Sequence, residues 1–424
     1  MPRDAAFPLV LLCFFLSGLA GLVYETAWTR EFAFVFGTSN LAVATVLAAY
    51  MAGLASGAAV AARLTSRVQR PLLVYALLEL GIGVAALAVP AGVQAARALY
   101  VGLFGGHEGL LDVGGLPTAF FYAACSFAIL LPPTAMMGAT LPLLAQHAVR
   151  RTEELGLRVG LLYASNTAGA VSGTLLAAFV LLPALGLGHT IWVAAAVNGL
   201  VFVAAARLSR SVGTPLPVTA PAAAVPARGG AAWILPLIFG SGVVSFSYEI
   251  LWVRLLEHLL GGSVYAFATL LASFLAGIAL GSAGASRLAT TPRRAAVGFA
   301  VAQGCIAGLS LAAFVAVDRI PAFSNALRDA GLPQTLVDAV GAMLTLFPAA
   351  LAIGATFPFA VRVLAGDEAD AGSVSARAYA ANTVGSIVGA LAAGFFLVPQ
   401  LGFAGTLVAC VAANLALAVA AALL

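Results

Sequence analysis

Three carboxylates stand inside long apolar stretches of this chain: Glu25, Glu79 and Glu249. A charge at the centre of a bilayer costs at least about 2.5 kcal/mol even on lenient insertion scales, so each acid needs a reason to be there. Glu25 and Glu249 follow tyrosines, Tyr24 and Tyr248, in one repeated pattern: Ser17-Gly18, Tyr24-Glu25, Trp28 and Arg30 return as Ser241-Gly242, Tyr248-Glu249, Trp252 and Arg254. Two carboxylates facing each other across a pseudo-two-fold axis can hold a cation or a diamine, or exchange protons if burial raises one pKa. The alternative is structural: each acid meets interfacial water, or pairs with Arg30 or Arg254.

Glu79 has an uncharged repeat partner, Gln303, which keeps the hydrogen-bonding shape without the charge. An asymmetric acid in a symmetric frame is a proton-site candidate, or else a tether to Arg63 or Arg67. Asn166-Thr167 and Asn382-Thr383 bring amides and hydroxyls into apolar runs, each followed by glycines four residues apart, at Gly169/Gly173 and Gly385/Gly389. Small residues at that spacing let helix backbones approach closely, so these sites read as packing seams, with a polar cavity wall as the alternative. Pro132, Pro142, Pro348 and Pro358 bracket two Gly-Ala-Thr runs and mark kinks or hinges.

The elements that carry these residues are membrane spans. Of 424 residues, 62% are hydrophobic and 8% charged, against about 25% charged in soluble domains. The long unbroken apolar runs exclude a membrane barrel, whose strands alternate polar and apolar residues. Runs of about 20 residues, the length of a span, begin near Phe7, Leu41, Pro71, Thr118, Leu157 and Thr190, then near Trp233, Val264, Ala295, Leu336, Ala376 and Gly405. The fold class expected is an all-α integral membrane protein of twelve transmembrane helices. The first run is structural rather than a cleaved signal, because its pattern recurs in mid-chain.

The repeat holds one register from Glu25/Glu249 through Gly53/Gly277, Gly57/Gly281 and Arg63/Arg287, an offset of 224 residues. Past the third span the offset is 216, pairing Pro132 with Pro348, Tyr163 with Tyr379 and Asn198 with Asn414. The eight-residue difference is assigned to the loop around Gly105 to Gly115. Six spans per unit leave both halves facing the same way. The domains expected are a first half at 1–208, a Pro/Ala-rich linker at 209–230 and a second half at 231–424. With the N-terminus inside, fifteen arginines fall in inside segments and five outside, which sets both ends in the cytoplasm of a bacterial inner membrane.

The net charge of +4 comes from scattered arginines, with no basic face for nucleic acid. Four cysteines and four histidines are dispersed, without metal-ligand spacing. Neither a cofactor motif nor a nucleophile with its base stands out, so no catalytic residue is assigned.

Two parallel six-helix halves resemble the major facilitator architecture, although Ala62-Arg63-Leu64 lacks the Asp usual before that Arg. The chain is more similar to the membrane portion of bacterial spermidine synthase-like multi-pass proteins. The residues carrying the resemblance are the Ser17-Gly18 to Arg30 run, Gly53, Gly57, Glu79-Leu80, Gly138-Ala139-Thr140-x-Pro142 and Tyr163-x-x-Asn166-Thr167-x-Gly169. It implies a transporter or translocating domain for a polyamine or other small cation. It equally implies a non-transporting module that anchors or regulates a soluble aminopropyltransferase. That synthase fold is not contained in these residues.

Overall fold

The computed structural model describes residues 3–36, 40–104, 116–149, 151, 154–211, 233–260, 264–365 and 371–423. The first half consists of α1 (Arg3–Phe36), α2 (Asn40–Leu64), α3 (Pro71–Phe104), α4 (Leu116–Ala148), α5 (Leu155–Leu176) and α6 (Leu182–Ser211). The second consists of α7 (Ile234–Leu260), α8 (Val264–Leu288), α9 (Pro292–Ala316), α10 (Ile320–Asp329), α11 (Gln334–Ala365), α12 (Ala371–Ala392) and α13 (Val398–Ala422). Among the described residues there is no strand. Nearly all of the expected linker, and the loop around Gly105 to Gly115, lie outside the described residues.

Among the described residues, ten continuous apolar stretches are long enough to cross a bilayer. Two of them, Leu155–Ser211 with 57 residues and Ala371–Ala422 with 52, exceed twice the length of a span. Each folds back at a glycine of positive φ, Gly186 at 71° and Gly402 at 67°, a backbone conformation that strains any residue with a Cβ. This gives twelve crossings in a major facilitator-like, all-helical fold. Five residues of π-type turn precede each bend, Ala177–Leu181 and Ala393–Leu397, so the distortion is itself repeated. The short helix α10 was not expected. Asp318-Arg319 and Pro321 interrupt the apolar run after α9 and start a new amphipathic turn.

Glycines set the seams within each half. A Cβ on Gly169 would lie 1.9 Å from the Phe15 carbonyl oxygen of α1, and one on Gly385 2.0 Å from that of Phe239 in α7. In the same way Gly57 of α2 meets Ala135 of α4 at 1.8 Å, and Gly281 of α8 meets Leu351 of α11 at 1.9 Å. Only hydrogen fits at such distances. The prolines sit inside continuous helices, Pro132 and Pro142 in α4 and Pro348 and Pro358 in α11. Thr140 and Thr356 donate to carbonyls of their own helices, at Met137 and Ile353.

The hydrophobic cores reveal how the halves meet. One core contains the starts of α1, α5, α7 and α12 and the ends of α4, α8 and α11, so both halves contribute to it. At the opposite end each half keeps its own core, one around Tyr24, Trp28 and Ile82 and the other around Tyr248, Trp252 and Phe274. The shared end is closed by small residues: Gly156 faces Ala289, Gly160 faces Ser286, and Gly372 faces Thr65. Ser282 of α8 donates to the Gly160 carbonyl of α5 at 3.1 Å. Further along the same seam, the Phe179 and Tyr265 rings stand 5.0 Å apart.

Candidate functional site

Helix α1 carries Tyr24 and Glu25 on adjoining faces. Tyr24 is fully buried in the first-half core and stacks on Trp28 at 5.0 Å. Glu25, one residue on, keeps part of its surface open while protein surrounds it. Its repeat partner Glu249, on α7, has the same half-open setting beside buried Tyr248. Glu25 on α1 and Glu249 on α7 lie within electrostatic range of each other. Neither forms an ion pair with Arg30 or Arg254 among the described residues; Arg254 instead donates to the Gly394 carbonyl at 3.3 Å.

Aromatic rings lie near this pair. Tyr50 of α2 and Tyr379 of α12 both lie within electrostatic range of Glu25. Tyr379 neighbours Tyr163 of α5, and the Phe357 ring of α11 sits 4.6 Å from Tyr163 and 6.2 Å from Tyr379. Phe357 belongs to the shared core and the two tyrosines pack on it, so the three rings form one cluster. Two carboxylates near a cluster of aromatic rings have the chemistry to hold an organic cation: charge neutralisation from the acids and quadrupole attraction from the rings. Among the described residues, no group of three His, Cys, Asp or Glu is placed to hold a metal ion.

Glu79 occupies a separate, fully buried site within the first half. Ser17 donates to one carboxyl oxygen at 2.6 Å and Asn198 Nδ2 to the other at 2.7 Å. Tyr24 donates in turn to Asn198 Oδ1 at 2.7 Å. The network ties α3 to α1 and α6, and Glu79 does not reach Arg63 or Arg67. Tyr75, one turn before Glu79, buries its hydroxyl beside the cluster.

The second half repeats the residues but not the network. Gln303 Nε2 donates to Ser241 at 2.8 Å. Gln303 Oε1, Asn414 Nδ2 and the Tyr248 hydroxyl are buried without partners.

Asn166 and Asn382 lie at the α1–α5 and α7–α12 seams. Asn166 Nδ2 donates to the Phe14 carbonyl at 3.0 Å, and the Asn382 carbonyl oxygen would stand 2.2 Å from a Cβ on Gly242. Thr167 and Thr383 turn inward on their own helices, donating to the Tyr163 and Tyr379 carbonyls. None of these four joins the Glu25/Glu249 pair through a hydrogen bond among the described residues.

Ser17, Asn198, Tyr50, Tyr163, Tyr379 and Phe357 were not read as site residues from the sequence. A signal did exist for most of them. Ser17, Asn198 and Tyr163 are polar residues inside apolar spans that recur at the equivalent position of the other half, as Ser241, Asn414 and Tyr379.

No family model matches the sequence. Over 176 residues the chain is 34% identical to a protein described as polyamine aminopropyltransferase from Mycobacterium tuberculosis, and equally to one of that description from Mycobacterium bovis. The match covers 40% of this chain and 31% of those relatives. Among solved structures, the fold is similar to a bacterial homologue of the iron transporter ferroportin in its outward-facing state, with a TM-score of 0.59, 16% identity and 97% of this chain and 98% of that one covered. The same homologue soaked with iron gives a TM-score of 0.62 at 14% identity, with 98% of both chains covered. At these identities the likeness is one of fold.

Proposed function

We propose that this chain is a transmembrane transporter for a small organic cation, with Glu25 and Glu249 as the charged walls of its substrate site. The reading is supported by two repeat-related carboxylates within electrostatic range of each other, one of them also within range of Tyr379 in the Tyr163, Phe357 and Tyr379 ring cluster, with no arginine paired to either acid among the described residues. A polyamine fits this reading: it carries two or more positive charges joined by apolar methylenes, and the partial relatives bear a polyamine enzyme's name. The shared core at one end and separate cores at the other are the arrangement of a site open to one side, so transport proceeds by rocking the halves about the site. The positive-inside bias puts the closed end in the cytoplasm, which makes this conformation open to the exterior.

In this reading Glu79 binds a proton. Its two oxygens accept from neutral donors on two other helices, so protonation or ionisation changes the ties among α1, α3 and α6. The test is uptake of radiolabelled spermidine into proteoliposomes, with and without an imposed pH gradient. Wild type takes up the label; Glu25→Gln and Glu249→Gln each reduce it by about tenfold; Glu79→Gln removes the response to the gradient. Unchanged uptake in both Glu25→Gln and Glu249→Gln removes the paired-carboxylate site.

A second reading is favoured by the sequence match to aminopropyltransferases: a non-transporting membrane module that anchors or regulates such an enzyme. It expects no uptake in any proteoliposome, and co-purification of a soluble synthase from the native membrane.

A further inference from the structure

A groove lies in the second half. It runs between α8, α9 and α11, has a volume of about 620 Å³ and opens to the membrane side of the molecule. At its mouth, where α8 turns into α9, stand Arg287, Thr290 and Arg294; its far end reaches Leu309 and Pro348. From Arg294 to Leu309 is fifteen residues of helix, about 22 Å at 1.5 Å per residue. That distance runs from the membrane surface well into the hydrocarbon. Beyond the mouth the lining is apolar apart from Cys305, and none of the fifteen lining residues is acidic.

Three of the groove's lining positions carry smaller residues than their counterparts in the first half. Gly298, Ala302 and Ala352 stand at the positions of Val74, Leu78 and Met136. In the first half the Met136 sulfur lies against Gly81, where a Cβ would approach it to 2.7 Å, so that side chain fills the equivalent space. The arginines, by contrast, are kept: Arg63 and Arg70 correspond to Arg287 and Arg294. Both second-half arginines are exposed, and Arg287 has no acidic partner among the described residues. Arg294 is steadied by a 3.4 Å bond from Nη1 to the Thr290 hydroxyl.

We propose that this groove holds one anionic phospholipid, its phosphate between Arg287 and Arg294 and an acyl chain along α9 towards Leu309. The chemistry is that of a basic pocket between transmembrane helices at the headgroup level, extended by a slot of the length and polarity of an acyl chain. Surface arginine alone does not make the site, since the first half has the same arginines but carries Leu78 and Met136 where the second half has Ala302 and Ala352. The inference is independent of whether the chain transports.

Native mass spectrometry of the purified full chain, titrated with phosphatidylglycerol or phosphatidylcholine, tests it. One phosphatidylglycerol is expected to be retained at least about tenfold more tightly than phosphatidylcholine. Arg287→Gln with Arg294→Gln brings retention to the phosphatidylcholine level, whereas Arg63→Gln with Arg70→Gln leaves it unchanged. Ala302→Leu, the residue of the other half, removes retention with every arginine in place. If that variant loses its native melting transition, Ala352→Met carries the steric arm. Equal binding of the two lipids, or equal loss from the first-half and second-half arginine pairs, overturns the proposal.

Discussion

The two halves place a serine, a tyrosine, an asparagine and a side-chain amide or acid at the same depth, yet only the first half closes them into a network. In the first half Ser17 and Asn198 donate to the Glu79 carboxyl group, satisfying both of its oxygens, and Tyr24 donates to Asn198. In the second, Ser241 and Gln303 meet while Tyr248 and Asn414 stand apart. Duplication supplies the scaffold, and changes such as Glu79 to Gln303 and Tyr75 to Phe299 separate what each copy does with it. The Glu25/Glu249 pair is the reverse case: there the repeat is kept, and in the proposed site both copies contribute.

That comparison can be broken at several points, beginning with the seams the halves share. Gly169→Val and Gly385→Val are expected to destabilise by similar amounts, on the order of 3 kcal/mol each, because each Cβ would fall about 2 Å from a carbonyl oxygen. Thermal unfolding in detergent checks this, and a large effect in one half alone means the seams are not equivalent.

Glu79→Leu strands the Ser17 hydroxyl and the Asn198 amide, at about 1–3 kcal/mol for each buried group left unpaired. Gln303→Leu strands only Ser241 and removes an oxygen that is already unpaired, so it costs less. Equal melting temperatures for the two variants would dissolve the asymmetry argued here.

Glu25→Gln and Glu249→Gln test the shared site by binding of spermidine in isothermal titration. Each is expected to weaken binding about tenfold, or 1.4 kcal/mol, and the double variant more than either. The smallest effect is assigned to Thr167→Val and Thr383→Val. Their hydroxyls bond only to carbonyls one turn back, so stability should move by no more than about 0.5 kcal/mol.

Much of the fold was legible in the chain itself. Apolar run lengths gave the crossings, and the returning Tyr-Glu-x-x-Trp-x-Arg pattern gave the duplication. The acids inside the spans were legible too, because a charge in hydrocarbon stands out against its surroundings. Their partners were not. Glu79 and Asn198 are 119 residues apart, and an asparagine in an apolar helix reads as a packing residue until the neighbouring helix is in place. Nor could spacing foretell that Glu79 turns away from the arginines at its own end of the membrane. The bends at Gly186 and Gly402 were hidden for a different reason: glycine is common in these helices, and only φ distinguishes a turn from a contact. The rings near Glu25 and Glu249 come from α2, α5, α11 and α12, so their convergence exists only after the halves have docked.

The faces that meet at the closed end, Gly156 and Gly160 against Ala289 and Ser286, and Gly372 against Thr65, have almost no relief. Smooth surfaces of this kind can part along a plane without any side chain first leaving its rotamer. One cross-seam hydroxyl bond, from Ser282 to Gly160, has to be given up along α5 and α8. The latch is therefore a matter of fit over an area, and bulk added anywhere on it, as by Gly160→Leu, would wedge the door ajar.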